Sequence, residues 1–155
     1  MIQTVWKRLN TVELMFGAEV GMWRMIQDIQ RGCSDHGGDP ENQWSRNIDG
    51  SLGELAFKKW RNIYAMPSLG NYKEIDAGPY QVRTNCSRSY TDMVIRQRDI
   101  DDGTLFGRPW ISVLGFCPDY EILGWYWGED CLNKAWQRPG TKGLDPSWTI
   151  TYPIG

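Results

Sequence analysis

Between residues 16 and 30 the apolar positions recur at helical steps. Val20, Trp23 and Ile26 form one row, Met22, Met25 and Ile29 another, and Gly32 supplies a stop. The spacing predicts a helix. Residues 1–14 mix Val5, Trp6, Leu9, Val12 and Leu14 with polar positions in no clean period, so strand, extended arm and helix all stay open. A second helix is expected from Ile48 or Asp49 to about Tyr64, capped by Asp49 or Ser51, with Ile48, Leu52, Leu55 and Ala56 as its apolar stripe. The period then shortens. Residues 72–76 and 80–85 read as two strands joined at Ala77, Gly78 and Pro79, and a third strand is expected over residues 92–96. Residues 110–116 and 120–127 carry the strongest β signal and should form the centre of a sheet, with Trp125 and Trp127 on one strand face and in the core. The acidic run Asp99, Asp101, Asp102 predicts a turn. A short helix over residues 129–136 and a last edge strand over residues 148–152 complete the pattern.

A chain of 155 residues with 41% hydrophobic positions fits one compact domain, residues 1–155, of α/β class with a mixed sheet flanked by helices. Seventeen basic against nineteen acidic residues give a net charge of −2, which argues against binding nucleic acid through bulk charge alone. A divalent cation in an acidic centre ringed by local basic residues is compatible with that total. Cys33, Cys86, Cys117 and Cys131 form no CxxC pair and no regular spacing, so a zinc cage and a disulfide framework both lack support, and reduced thiols are expected. His36, the single histidine, falls in a turn-rich loop over residues 33–42 and reads as a solvated loop residue. No apolar run reaches the roughly 18 residues of a spanning helix, which sets the expectation of a cytoplasmic protein without membrane contact.

The candidate chemistry lies between residues 47 and 83. Hydrolysis of a phosphodiester by a hard divalent ion needs oxygen ligands, and Glu54, Asp76 and Gln81 provide them. Strand alternation puts Gln81 and Arg83 on one face of a single strand, and Lys58 follows Glu54 by one helical turn. The plain alternative is equally simple: Glu54 and Lys58 as a helix salt bridge, Asp76 as a turn former, Gln81 and Arg83 as an ordinary sheet face.

A helix acid, an Asp opening a hairpin, then Glu or Gln, an apolar residue and Lys is the pattern of the PD-(D/E)xK nuclease superfamily. Glu54, Asp76 and Gln81-Val82-Arg83 resemble it in that order. The wider stretch, with Gly53-Glu54-Leu55-Ala56, the strand over residues 92–96 and Gly124-Trp125, looks like small phage and bacterial proteins of that type. The resemblance implies a restriction-endonuclease-like fold and a Mg²⁺- or Mn²⁺-dependent deoxyribonuclease, with Glu54, Asp76 and Gln81 on the metal. DNA rather than a small molecule would be the partner, held at its phosphates by Arg88, Arg96 and Arg98, in a host cytoplasm if the chain is phage-encoded; a homodimer stays open.

Arg83 departs from the pattern. A guanidinium stays protonated, so Arg83 can clamp a phosphate but cannot act as a base, and Lys58 is the candidate ammonium in place of the missing lysine. The rival reading is a catalytically inactive module of phage origin that binds nucleic acid or protein.

Overall fold

The computed structural model describes residues 4–32, 42–63, 77–86, 93–134, 136–138 and 147–150. Along these the order is β1 (Val5–Arg8), α1 (Thr11–Gln30), α2 (Gln43–Arg61), β2 (Gln81–Asn85), β3 (Met93–Arg96), α3 (Gln97–Asp101), β4 (Pro109–Phe116), β5 (Asp119–Trp127), α4 (Gly128–Lys134), β6 (Trp136–Arg138) and β7 (Ser147–Ile150).

The open segment at the start resolves into strand and helix. Helix α1 begins at Thr11 rather than Phe16, because Asn10 and Glu13 form a capping box. The Asn10 side chain accepts the Glu13 N–H at 2.9 Å, and the Asn10 N–H donates to Glu13 Oε2 at 2.7 Å. Lys59 donates to the same carboxylate oxygen at 2.8 Å. Helix α2 also starts earlier than its apolar stripe suggests, at Gln43, so Asp49 and Ser51 are interior residues and not caps. It stops at Asn62, whose left-handed backbone (φ 53°) turns the chain short of Tyr64.

Four strands form a mixed sheet in the order β1-β5-β4-β2. Strands β4 and β5 occupy its centre, as their composition predicts; β1 runs antiparallel to β5, and β2 runs parallel to β4. Strands β3, β7 and β6 make a second, antiparallel sheet. The expected edge position of the last strand is overturned there: β7 is the middle strand, paired on both sides. The predicted strand over residues 72–76 lies outside the described residues, although an antiparallel bridge between Ala77 and Tyr80 closes the turn that follows it. Where the acidic run predicts a turn, α3 forms instead, since Asp99 accepts the Arg96 N–H at 2.9 Å and caps the first turn.

Alternation along β4 feeds two cores. Ile111 and Val113 pack with Val82, Tyr120 and Ile122 beneath Leu52, Leu55, Ala56 and Phe57 of α2, while Trp110 and Leu114 pack with Met93, Ile95, Leu105, Leu123 and Cys131 on the other face. Both faces of β4 are therefore covered, which accounts for its nearly continuous apolar run.

Trp125 and Trp127 leave that core. Strand β1 pairs only with residues 119–122 of β5, so the stretch beyond is paired with β4 on one side and with no described strand on the other. The two indoles pack edge to face, 6.0 Å between centroids, with about half of each exposed. No described helix is long and apolar enough to cross a membrane.

The helices cross closely where α1 carries glycine. A Cβ on Gly21 would stand 2.4 Å from the Ile48 Cα and 2.8 Å from the Asn47 carbonyl oxygen, and one on Gly17 would meet the Leu52 side chain. On α2, a Cβ at Gly53 would run into Thr84 of β2. Because backbone atoms cannot yield as a flexible side chain can, Gly21→Ala should destabilise the fold by about 1–3 kcal/mol. Gly50→Ala, in the same helix pair but with nothing within 4 Å, should be neutral or stabilising by about 0.5–1 kcal/mol. Urea denaturation of the two variants checks this, and equal stability of both would rule out a tight crossing.

Candidate functional site

Eight consecutive residues of α2, Ser51 to Lys58, are buried. This helix lies between α1 and the sheet, so positions that would face water on an ordinary surface helix are enclosed here. Glu54 and Lys58 are among them, at 7% and 6% exposure. Charges this deep need partners.

Glu54 finds its partner on α1. Arg24 Nη1 donates to Glu54 Oε1 at 2.7 Å and Nη2 donates to Oε2 at 2.6 Å, a two-pronged pair that matches the guanidinium fork to the carboxylate. Arg24, Glu54 and Lys58 line a small cleft between the helices together with Phe16, Val20 and Ser51. The Ser51 hydroxyl donates to the Gly17 carbonyl oxygen at its floor. One acidic and two basic side chains share this cleft.

The strand residues lie elsewhere. Val82 belongs to the core under α2, and Thr84 sits against Gly53 of that helix, so alternation sends Gln81 and Arg83 to the opposite face of β2. There Arg83 Nη2 donates to Asp99 Oδ1 at 2.9 Å, and the guanidinium carbon stands 4.7 Å from the centroid of the Trp110 ring. Gln81 is buried at the start of the strand, opposite Trp110 in the register with β4. The structure thus brings Glu54 and Lys58 together on the helix side and Gln81 and Arg83 together on the other. Asp76 and Arg88 lie outside the described residues. Arg96 and Arg98 flank the start of α3, Arg96 half-buried and Arg98 exposed.

Among the described residues no group of three or more His, Cys, Asp or Glu side chains could hold a metal ion. Of the three expected metal ligands, Glu54 has both oxygens bonded to Arg24, Gln81 stands on the other face of β2, and Asp76 lies outside the described residues.

Two residues of these clusters were not singled out by sequence reasoning. Arg24 occupies the same helical face as Gly17, Val20 and Gly21, and a cation on the packed face of a helix signals a buried acid opposite. Asp99 falls in the acidic run that predicts a turn, and no local signal connects it to Arg83.

Two of the described thiols are held protonated by burial. Cys86, Cys117 and Cys131 are free. Burial pushes the Cys86 thiol up to about 12, with the charge and hydrogen bond of Asp49 adding to it, and burial beside Asp130 and Glu129 raises Cys131 to about 12 as well.

Set against models of known protein families, curated protein sequences and solved structures, the chain matches none of them.

Glu54→Ala should cost about 3 kcal/mol in denaturant unfolding, since it takes from the enclosed Arg24 guanidinium the carboxylate to which it donates twice. The double variant Arg24→Met, Glu54→Leu should recover most of that loss. A single-variant cost below about 1 kcal/mol would mean that the pair behaves like a surface bridge. At pH 8, iodoacetamide should modify the exposed Cys117 while sparing Cys86 and Cys131, read by mass spectrometry of the labelled peptides, because both raised thiols remain protonated there. Rapid labelling of Cys86 or Cys131 in the folded protein would contradict that protection.

Proposed function

We propose that the chain is a restriction-endonuclease-like module that holds DNA without cutting it. The observation that carries this reading is the occupation of the would-be catalytic groups by partners within the chain: Glu54 by Arg24, and Arg83 by Asp99 and Trp110. A carboxylate gripped at both oxygens is a poor metal ligand. A guanidinium already paired and stacked has less to offer a scissile phosphate. The order of helix acid, strand glutamine and strand arginine supports descent from a nuclease, as the sequence resemblance implies.

Binding would fall to cations that reach solvent. Exposed Arg61 lies 5.4 Å from the Trp60 ring and 5.8 Å from the Tyr80 ring, an arrangement in which a stiffened guanidinium and two aromatic faces stand side by side. Arg98 adds a second exposed cation. Local clusters of this kind serve phosphate contact even when the whole chain carries a net charge of −2.

A second reading, metal-dependent cleavage, draws on one observation: Lys58 is buried in the same cleft as Glu54, in reach of the role of the lysine missing from β2. It requires Arg24 to release the carboxylate. The two readings part in one experiment on the full chain, incubated with supercoiled, linear and branched DNA in Mg²⁺ or Mn²⁺. The expected outcome is a shifted band without nicks, an affinity that falls steeply with salt, and a salt slope reduced by about one in Arg61→Ala and in Arg98→Ala. Cutting that Glu54→Ala or Asp76→Ala abolishes would replace this proposal with the enzyme. Absence of both binding and cutting would remove DNA as the partner.

A further inference from the structure

Helix α1 is apolar on two sides. One side, with Gly17, Val20, Gly21 and Met25, is buried. At 100° per residue the opposite side gathers Val12, Met15, Met22, Ile26 and Ile29, with Trp23 beside them. Val12 is 75% exposed and Met15 69%, Met22, Trp23 and Ile29 are each about half exposed, and Ile26 is half-buried. A helix that is apolar all round is normally covered all round.

We infer that this outer face of α1 is the contact surface for a second copy of the chain, packed antiparallel against the same helix. Three features of the strip point to that occupant. Its positions, 12, 15, 19, 22, 26 and 29, are spaced three and four residues apart in alternation, the period of a helix–helix seam. The spacing reads the same in both directions. Laid antiparallel on itself, the helix sets Val12 against Ile29 and Met15 against Ile26 of the second copy, with Glu19 against Met22 at the centre, so each apolar position meets another or the lone acid.

The size also fits. The strip leaves an apolar area on the order of 500 Å² open, at the upper end of what a solitary soluble protein shows. Two such strips bury on the order of 1,000 Å², the extent at which a pairing becomes specific.

The charges on α1 argue against a lipid surface as the occupant. Interfacial helices carry Lys and Arg along the flanks of the apolar strip. This helix has no Lys, carries Glu13, Glu19 and Asp28, and turns Arg24 inward to Glu54. The surface is independent of the cleft between the helices and of any reading of its chemistry.

The full chain should sediment at twice its 17.9 kDa mass at micromolar concentration in analytical ultracentrifugation. Met15→Glu and Ile26→Lys should each weaken the pairing at least tenfold and give monomers with an unchanged helical circular-dichroism signal. An equimolar mixture of the two variants should restore the dimer, because the antiparallel register sets the new glutamate of one chain against the new lysine of the other. Should Ile26→Lys unfold the chain, Val12→Glu mixed with Ile29→Lys makes the same test at more exposed positions. A monomeric wild type at all concentrations, a dimer indifferent to Met15→Glu, or failure of both mixtures to re-associate overturns the inference. So does a monomeric wild type that floats with phosphatidylserine vesicles, which would hand the surface to a membrane.

Discussion

The enclosure of α2 is the constraint on which the rest of the molecule depends. With α1 on one side and the sheet on the other, Ser51 to Lys58 have little water to turn to. Three glycines permit that enclosure by letting the backbone of α1 approach Ile48 and Leu52, and that of α2 approach Thr84. Once the helix is enclosed, its charges must be answered from inside, and the bidentate Arg24–Glu54 pair follows as an electrostatic necessity. Packing and charge thus act together: the close crossing brings the guanidinium fork within reach, and the fork makes the enclosed carboxylate tolerable.

The same logic governs the far face of the sheet. Arg83 rises from β2 into a region bounded by Trp110 and α3, where Asp99 both caps its own helix and pairs with the guanidinium. One carboxylate therefore serves two structural duties. Two groups that resemble parts of a catalytic centre are held on opposite sides of β2, each in a local network complete enough to stand without a ligand.

Much of the frame is legible in the sequence where a local period and a local stop coincide. Strands β4 and β5 are rich in β-branched and aromatic residues on either side of the break at Cys117 and Pro118, and α1 ends where Gly32 says it should. The start of α1 is also written locally, in Asn10 and Glu13, but the eye is drawn to the apolar row that begins later. The polar opening of α2, Gln43 to Asn47, carries no such row and hides the helix. Trp125 and Trp127 have the composition of core residues. Their exposure depends on where the packed elements stop along β5, which the local sequence does not record. At the candidate site, Glu54 and Lys58 can be placed on one helix from spacing alone, whereas the Arg24 and Asp99 partners join residues 30 and 16 positions apart and depend on packing.

Strand β1 has one more property, which concerns time rather than space. Val5 pairs with Ile122 and Arg8 with Asp119, so the first described strand has no partner until nearly the whole of the main sheet has been synthesised. The helix pair α1–α2 needs only its own near neighbours, and can assemble while β1 still waits. During that wait the strand presents an open edge, the kind of surface that invites wrong pairings on a crowded ribosome. Lys7 and Arg8, placed directly after Val5 and Trp6, keep the waiting segment charged and in water until β5 emerges to receive it.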